Sequence, residues 1–188
     1  MSLRSIISLD EKFTSALRLK DSAHKAKPLA SFFAHSGDSW FIEIALFILW
    51  LGTKNRWHQM AAWMAGSVIV LAILVLVIKF TIRRRRPEGD WGAIYRNTDP
   101  HSFPSGHAAR TAMLSVLAFA FGPLWLGVVF VLWTLLVSLA RVWMGVHYLS
   151  DILAGILLGI LFALLTLPLA PWFFSVLPFI FSNQTSLF

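Results

Sequence analysis

The sequence predicts an all-α integral membrane protein, a bundle of about five transmembrane helices preceded by an amphipathic helix. Three observations carry that expectation. Hydrophobic residues make up 57% of the 188 and charged residues 13%, against roughly 45–50% and about 25% in soluble domains. The apolar residues fall in long continuous runs, not in the two-residue alternation of a membrane barrel. Several runs approach the roughly 20 residues that a helix needs to cross a hydrocarbon core about 30 Å thick. The mean hydropathy of +0.71 agrees, and a soluble globule or a disordered chain is excluded.

Residues 1–28 carry nine charges, from Arg4 to Lys27, interleaved with Ile6, Ile7, Leu9, Phe13, Leu17 and Leu19. That spacing predicts an interfacial amphipathic helix and not a span, and no cleavable signal peptide is expected. Residues 29–188 form the transmembrane domain. Its first span runs from Leu29 or Ser39 to Gly52, entered through the polar break His35-Ser36-Gly37-Asp38. The second runs from Trp57 to Ile82, the third from Gly106 to Phe121 before Gly122-Pro123, and the fourth from Leu124 to Val142. The fifth starts near His147 and reaches Leu167, where Pro168, Pro171 and Pro178 interrupt a last apolar stretch.

The net charge of +7 points, in a membrane protein, to anionic headgroups, phosphate substrates or topology signals, and not to nucleic acid. The absence of cysteine removes disulfides, thiolate metal sites and thiol nucleophiles.

Ionisable residues at a membrane edge are functional candidates, and they cluster three times. Lys79 precedes Arg86-Pro87 by seven residues, close to two helical turns, so on a continuous helix both cations share a face before the proline stops it. Pro104-Ser105-Gly106-His107 opens the third span, where a hydroxyl, backbone N–H groups and the helix dipole can meet an anion. His147 and Asp151 are four apart, so on one helix the carboxylate can fix the imidazole tautomer and leave the other nitrogen as a nucleophile. Arg141 converges with them only if Trp143-Met144-Gly145 breaks the helix, since six residues turn it by about 240°. The span count brings all three clusters to one face of the membrane, as a phosphate pocket with a nucleophile and a proton donor.

In this order and spacing the residues resemble the type 2 phosphatidic acid phosphatase (PAP2) superfamily, membrane lipid phosphatases related to vanadium haloperoxidases. The three signatures read Lys79 to Pro87, Pro104 to His107, and Ala140-Arg141 to Asp151, with Ala140 where the family usually has serine. The resemblance implies hydrolysis of a lipid phosphate or pyrophosphate without metal or other cofactor. His147, oriented by Asp151, would attack phosphorus to form a phosphohistidine, and His107 would protonate the leaving oxygen and then activate water. Lys79, Arg86, Arg141, Ser105 and Gly106 would bind the phosphate oxygens, as expected for a reaction governed by positioning and electrostatics. The implied partners are the lipid phosphate substrate and membrane lipids. A phosphotransferase and a catalytically weak lipid-phosphate-binding module are the alternatives, the second favoured only by Ala140.

Other candidates are weaker. Asp99 and His101 can line the mouth of the site, Glu43 can pair with a cation from another helix, and Trp91 and Tyr95 read as interfacial aromatics. His24, His35 and His58 have no partner at a telling spacing. Six basic residues of the N-terminus, Arg83 to Arg86 and Arg96 share the side of the site, against Lys54 and Arg56 opposite, which favours a cytoplasmic site.

Overall fold

A computed structural model describes residues 3–18, 26–87 and 99–181, and every element among them is helical. Helix α1 (Leu3–Leu17) is followed by α2 (Ala26–Ser36), α3 (Ser39–Gly52) and α4 (Asn55–Ile82). Then come α5 (Gly106–Phe121), α6 (Leu124–Trp143), α7 (Leu149–Thr166), a short 3-10 turn (Leu167–Leu169), α8 (Ala170–Val176) and α9 (Pro178–Phe181). Lys20, His24, Trp91, Tyr95 and Arg96 lie outside the described residues.

The all-helical membrane bundle is as expected, but its spans are fewer by length and apolarity. Three stretches suffice to cross a membrane: Asn55–Ile82, Leu124–Trp143 and Leu149–Val176. Helices α2 and α3 make a fourth only as a pair bent by 59°, and the bend sits at the polar break seen in the sequence. The expected span at Gly106–Phe121 has 16 residues, about 24 Å at 1.5 Å per residue. It is the inner helix of the bundle. Eleven of its residues, from Gly106 to Ala118, are buried, so neighbouring helices cover it.

Helix α5 packs between α6 and α7, α3 packs on α4, and α2 packs on the end of α6. Contact between α5 and α7 is close because α7 presents Gly155 and Gly159, one turn apart. A Cβ built at Gly159 would lie 2.0 Å from the Ala109 carbonyl oxygen, and one at Gly155 would lie 2.5 Å from that of Ser105. Small residues four apart let backbones approach where lipid supplies no hydrophobic drive for association. The core beneath this contact joins Met64, Val68, Leu71 and Val75 of α4 to Met113, Leu114 and Leu117 of α5. Leucines and isoleucines on the outer faces, such as Ile73, Leu132 and Leu161, stay exposed, as a surface toward lipid requires.

The turns that build the site lie at one end of this bundle. Helix α4 stops where Arg83 adopts a left-handed conformation (φ 54°) and its N–H caps the Lys79 carbonyl. Residues 83–87 then run beside residues 99–102, held by an isolated bridge between Arg85 and His101 and by Ser102 N–H donating to the Arg84 carbonyl at 2.9 Å. Helix α6 ends at Trp143, and Gly145 turns the chain with φ +65°.

Gly159→Ala is expected to destabilise the bundle by about 1–3 kcal/mol by forcing α5 and α7 apart. Gly66→Ala, on α4 with nothing within 4 Å, should be neutral or stabilising by up to about 1 kcal/mol. Thermal unfolding in detergent compares the two, and equal melting temperatures would refute the close-contact account.

Candidate active site

Eight residues were expected at the site, and their backbone positions converge by routes partly different from those the spacing implied. Lys79 lies on the last turn of α4, but Arg86 is four residues past the helix end, so the shared-face argument does not hold. The two cations meet instead through Asp99. Its Oδ2 pairs with the Lys79 ammonium and with Arg86 Nη2, the latter at 2.8 Å. Arg86 also donates to the Asp99 and Val146 carbonyls at 2.7 and 2.8 Å. These three hydrogen bonds fix the plane of the guanidinium.

His147 precedes α7 and does not lie on it. Tyr148 is the N-cap, and Asp151 accepts the Tyr148 N–H at 2.9 Å. The expected pairing on one helical face is thus replaced by a cap. His147 Nδ1 stands 3.5 Å from Asp151 Oδ2, an ion-pair distance longer than a hydrogen bond. On the other side of the ring, Arg86 Nη1 lies 3.3 Å from Nε2. A guanidinium can only donate, so Nε2 carries the lone pair and the proton sits on Nδ1, toward Asp151. The imidazole is held well below its ordinary pKa near 6.5, first by burial and then by the Arg141, Arg86 and Lys79 cations.

Arg141 is buried at the end of α6, and the break at Gly145 that its convergence requires is present. Ser105 is fully buried as the N-cap of α5, its hydroxyl 3.5 Å from the Ala108 N–H and its own N–H donating to the Asp151 carbonyl at 3.0 Å. That backbone bond ties the second signature to the third. Gly106 is buried beside Arg110 Nη1, which a Cβ there would meet at 3.3 Å. Ala140 packs with Ala30 and Ala34 of α2 and with Met144 and Val146. An alanine suits that apolar contact.

Four residues escaped the spacing argument. Asp38, at the bend between α2 and α3, accepts from His107 Nε2 at 2.6 Å and faces His35 Nδ1 at 3.3 Å. Arg110, one turn past His107, is buried and donates to the Gly37 carbonyl at 3.1 Å, which fastens the bend to α5. Arg84 holds Asp151 Oδ1 at 2.8 Å and Asp10 of α1 at 2.7 Å. His35 and Asp38 are three apart, so the expectation that His35 has no partner at a telling spacing does not hold. The other pairs are far apart in sequence, and only the polar break at residues 35–38 hinted at one of them.

The weaker candidates divide. Asp99 joins the site, and the neighbouring cations, Lys79 above all, outweigh its burial and keep its carboxyl below the usual range. The carbonyl of His101 accepts from Lys79 at 3.1 Å, while its ring packs edge-on against Phe80. His58 is structural, bonded to the Trp50 and Ile180 carbonyls at 2.8 and 2.9 Å. Glu43 feels the charge of Arg110, and its buried Oε1 has no hydrogen-bond partner among the described residues.

Residues 60–175 match the model of the PAP2 superfamily. Among curated proteins the chain is 37% identical to the decaprenylphosphoryl-5-phosphoribose phosphatase of Mycobacterium tuberculosis over 67% of this chain and 70% of that one. It is 29% identical to the undecaprenyl-diphosphatase of Sulfolobus acidocaldarius, over 64% of this chain but 58% of that protein's length. A crystal structure of a transmembrane PAP2 type phosphatidylglycerolphosphate phosphatase from Bacillus subtilis superposes with a TM-score of 0.72 at 22% identity. That match covers 89% of this chain and 87% of the other, and it shows the fold.

Asp38→Asn is expected to lower turnover on the order of tenfold to a hundredfold, a substantial part of what a positioned acid or base contributes, with Asp38→Glu recovering part of it. Phosphate release at saturating substrate measures this, and unchanged turnover in Asp38→Asn would show that the His107 contact has no catalytic role.

Proposed function

The chain belongs to the PAP2 superfamily, and from that premise we propose that it is a membrane lipid phosphatase that hydrolyses a lipid phosphate monoester or pyrophosphate through a phosphohistidine. The observation that carries this reading is the Arg86 to His147 contact, since it presents an unprotonated Nε2 directly beside a cation able to hold phosphate.

In the first step Nε2 of His147 attacks phosphorus in line, a P–N bond forms, and the P–O bond to the lipid breaks. His107 supplies the proton that the departing oxygen takes. In the second step water attacks, His107 accepts its proton, and the P–N bond breaks to release inorganic phosphate. Lys79, Arg86 and Arg141 offset the charge on the equatorial oxygens, with the Ser105 hydroxyl and Gly106 N–H as further donors. Asp99, which pairs with both Lys79 and Arg86, stands where an anion binds, so phosphate takes over its cations. Asp151 stabilises the Nδ1 proton as positive charge develops on the ring. No metal or other cofactor enters either step.

The substrate is drawn from the polyprenyl phosphate or diphosphate, phosphatidylglycerophosphate and phosphatidic acid classes. An apolar groove of about 270 Å³ lined by Phe41, Ile42, Leu46, Phe130 and Trp133 also touches Ser36, beside the bend that holds His107, and suits a lipid chain whose phosphate end is at His107. The site faces the cytoplasm in this reading, because α1 and its basic residues lie on the same side as the site.

Purified protein is expected to release phosphate from a panel of lipid phosphates with EDTA present, and His147→Ala to lose at least about a hundredfold. Loss of activity in EDTA, or its survival in His147→Ala, overturns the mechanism. Because the neutral imidazole is the active form and its pKa is depressed, the acid limb of the pH–rate profile is expected below pH 6.5. With no native cysteine, Lys12→Cys in intact cells should resist an impermeant thiol reagent, and ready labelling would place the site outside.

A further inference from the structure

Helix α1 carries two stripes. Asp10, Thr14 and Arg18 face the bundle, at one-turn spacing. Thr14 is buried and its hydroxyl accepts the Leu149 N–H at 3.1 Å, while Asp10 Oδ1 accepts the Ser150 N–H at 3.1 Å. Those are two of the free N–H groups at the start of α7, so α1 caps the catalytic helix from outside. Arg18 packs on Gly145, where a Cβ would meet its Nε at 2.8 Å. Asp10 Oδ2 also binds Arg84 at 2.7 Å, and Arg84 binds Asp151 Oδ1 at 2.8 Å while lying 4.0 Å above the Tyr148 ring. The second stripe, one residue back, is Leu9, Phe13 and Leu17, which are 39%, 58% and 42% exposed.

We propose that α1 is a strap between the bilayer surface and the catalytic carboxylate, with Asp10 a positioning residue that fixes Asp151 through Arg84. The occupant of the outer stripe is the lipid surface. Helix α1 crosses the ends of α6 and α7, two stretches long and apolar enough to span, so it lies at the headgroup level. There a row of three apolar side chains continues the lipid-facing surface of the bundle. A shift of α1 is thereby transmitted to Asp151 through two ion pairs and two helix-capping hydrogen bonds. The role of Asp151 in catalysis rests on the function proposed above.

The test uses the full chain in lipid nanodiscs. Asp10→Ala, and Asp10→Asn, which keeps an acceptor for Ser150 but loses the charge facing Arg84, are expected to lower kcat about tenfold, the equivalent of one charge-assisted contact. KM should stay within about twofold, because substrate cations are untouched. Asp10→Glu should recover part of kcat, and Asp10→Ala should add nothing in an Arg84→Gln background. Amide exchange at Ser150, which does not depend on activity, should quicken in Asp10→Ala. Replacing Leu9, Phe13 and Leu17 by serine should lower kcat and quicken the same amide. Unchanged Ser150 exchange in Asp10→Ala, or kcat losses additive with Arg84→Gln, overturns the strap. Conversion of a dimer to a monomer by the serine triple variant assigns the stripe to a second copy and overturns the lipid occupant. Absence of phosphate release from the parent protein, with exchange behaving as stated, overturns the function while the docking of α1 stands.

Discussion

The structure depends on holding four cations out of water at one end of a helical bundle. Lys79, Arg86, Arg110 and Arg141 are all under 9% exposed, and taking each from water carries a penalty of several kcal/mol unless opposite charge and hydrogen bonds offset it. The surrounding architecture supplies those partners. Asp99 serves Lys79 and Arg86, the Gly37 carbonyl serves Arg110, and the loop carbonyls of Asp99, His101 and Val146 accept from Lys79 and Arg86. A pocket whose cations already hold a carboxylate suits the phosphate of the function proposed above. A reaction that only needs its phosphoryl oxygens held and neutralised requires little more.

The same concentration of charge sets the chemistry of the imidazoles. A histidine buried beside three cations stays neutral, and the donor-only guanidinium of Arg86 decides which nitrogen keeps its lone pair. His107 is set apart from it by a carboxylate, Asp38, in direct contact with Nε2. The two imidazoles thus differ in what touches them, a cation for one and an anion for the other, a difference on which the roles proposed above draw.

Much of this was legible in the sequence, though not always for the right reason. Continuous apolar runs gave the helices, and Gly106–Phe121 begins and ends as expected because a serine cap and Gly122-Pro123 mark both ends chemically. Lys79 and Arg86 were expected on one helical face, yet Arg83 ends the helix and the two meet through Asp99. His147 and Asp151 were expected four apart on a helix, yet the helix begins at Leu149 and the carboxylate caps it. Signature spacing located the residues because loop length fixes reach as firmly as helical pitch does. Contacts between distant segments, such as Asp38 with His107 at a separation of 69 residues, leave no periodic trace. Arg84 was hidden differently, since in a run of four arginines nothing local separates a membrane anchor from a partner of the Asp151 carboxylate.

Three loops must meet within an ångström or so for a site of the proposed kind to act. The precision comes from backbone contacts. Gly155 and Gly159 bring α7 against α5 until the Ser105 N–H reaches the Asp151 carbonyl at 3.0 Å, so the segment ending at His107 and the segment containing Asp151 move as one. Residues 83–87 are attached to this unit by Arg84 through Asp151 and by Arg86 through Val146 and His147. Arg84 also leads outward, to Asp10 on α1. The proposed nucleophile is therefore braced from below by the packing of α5 on α7, and from above by a helix whose outer row of side chains is exposed. In the strap proposed above, a change at the membrane surface reaches Asp151 by that upper route, whereas Lys79 and Arg141 are set on α4 and α6 of the bundle.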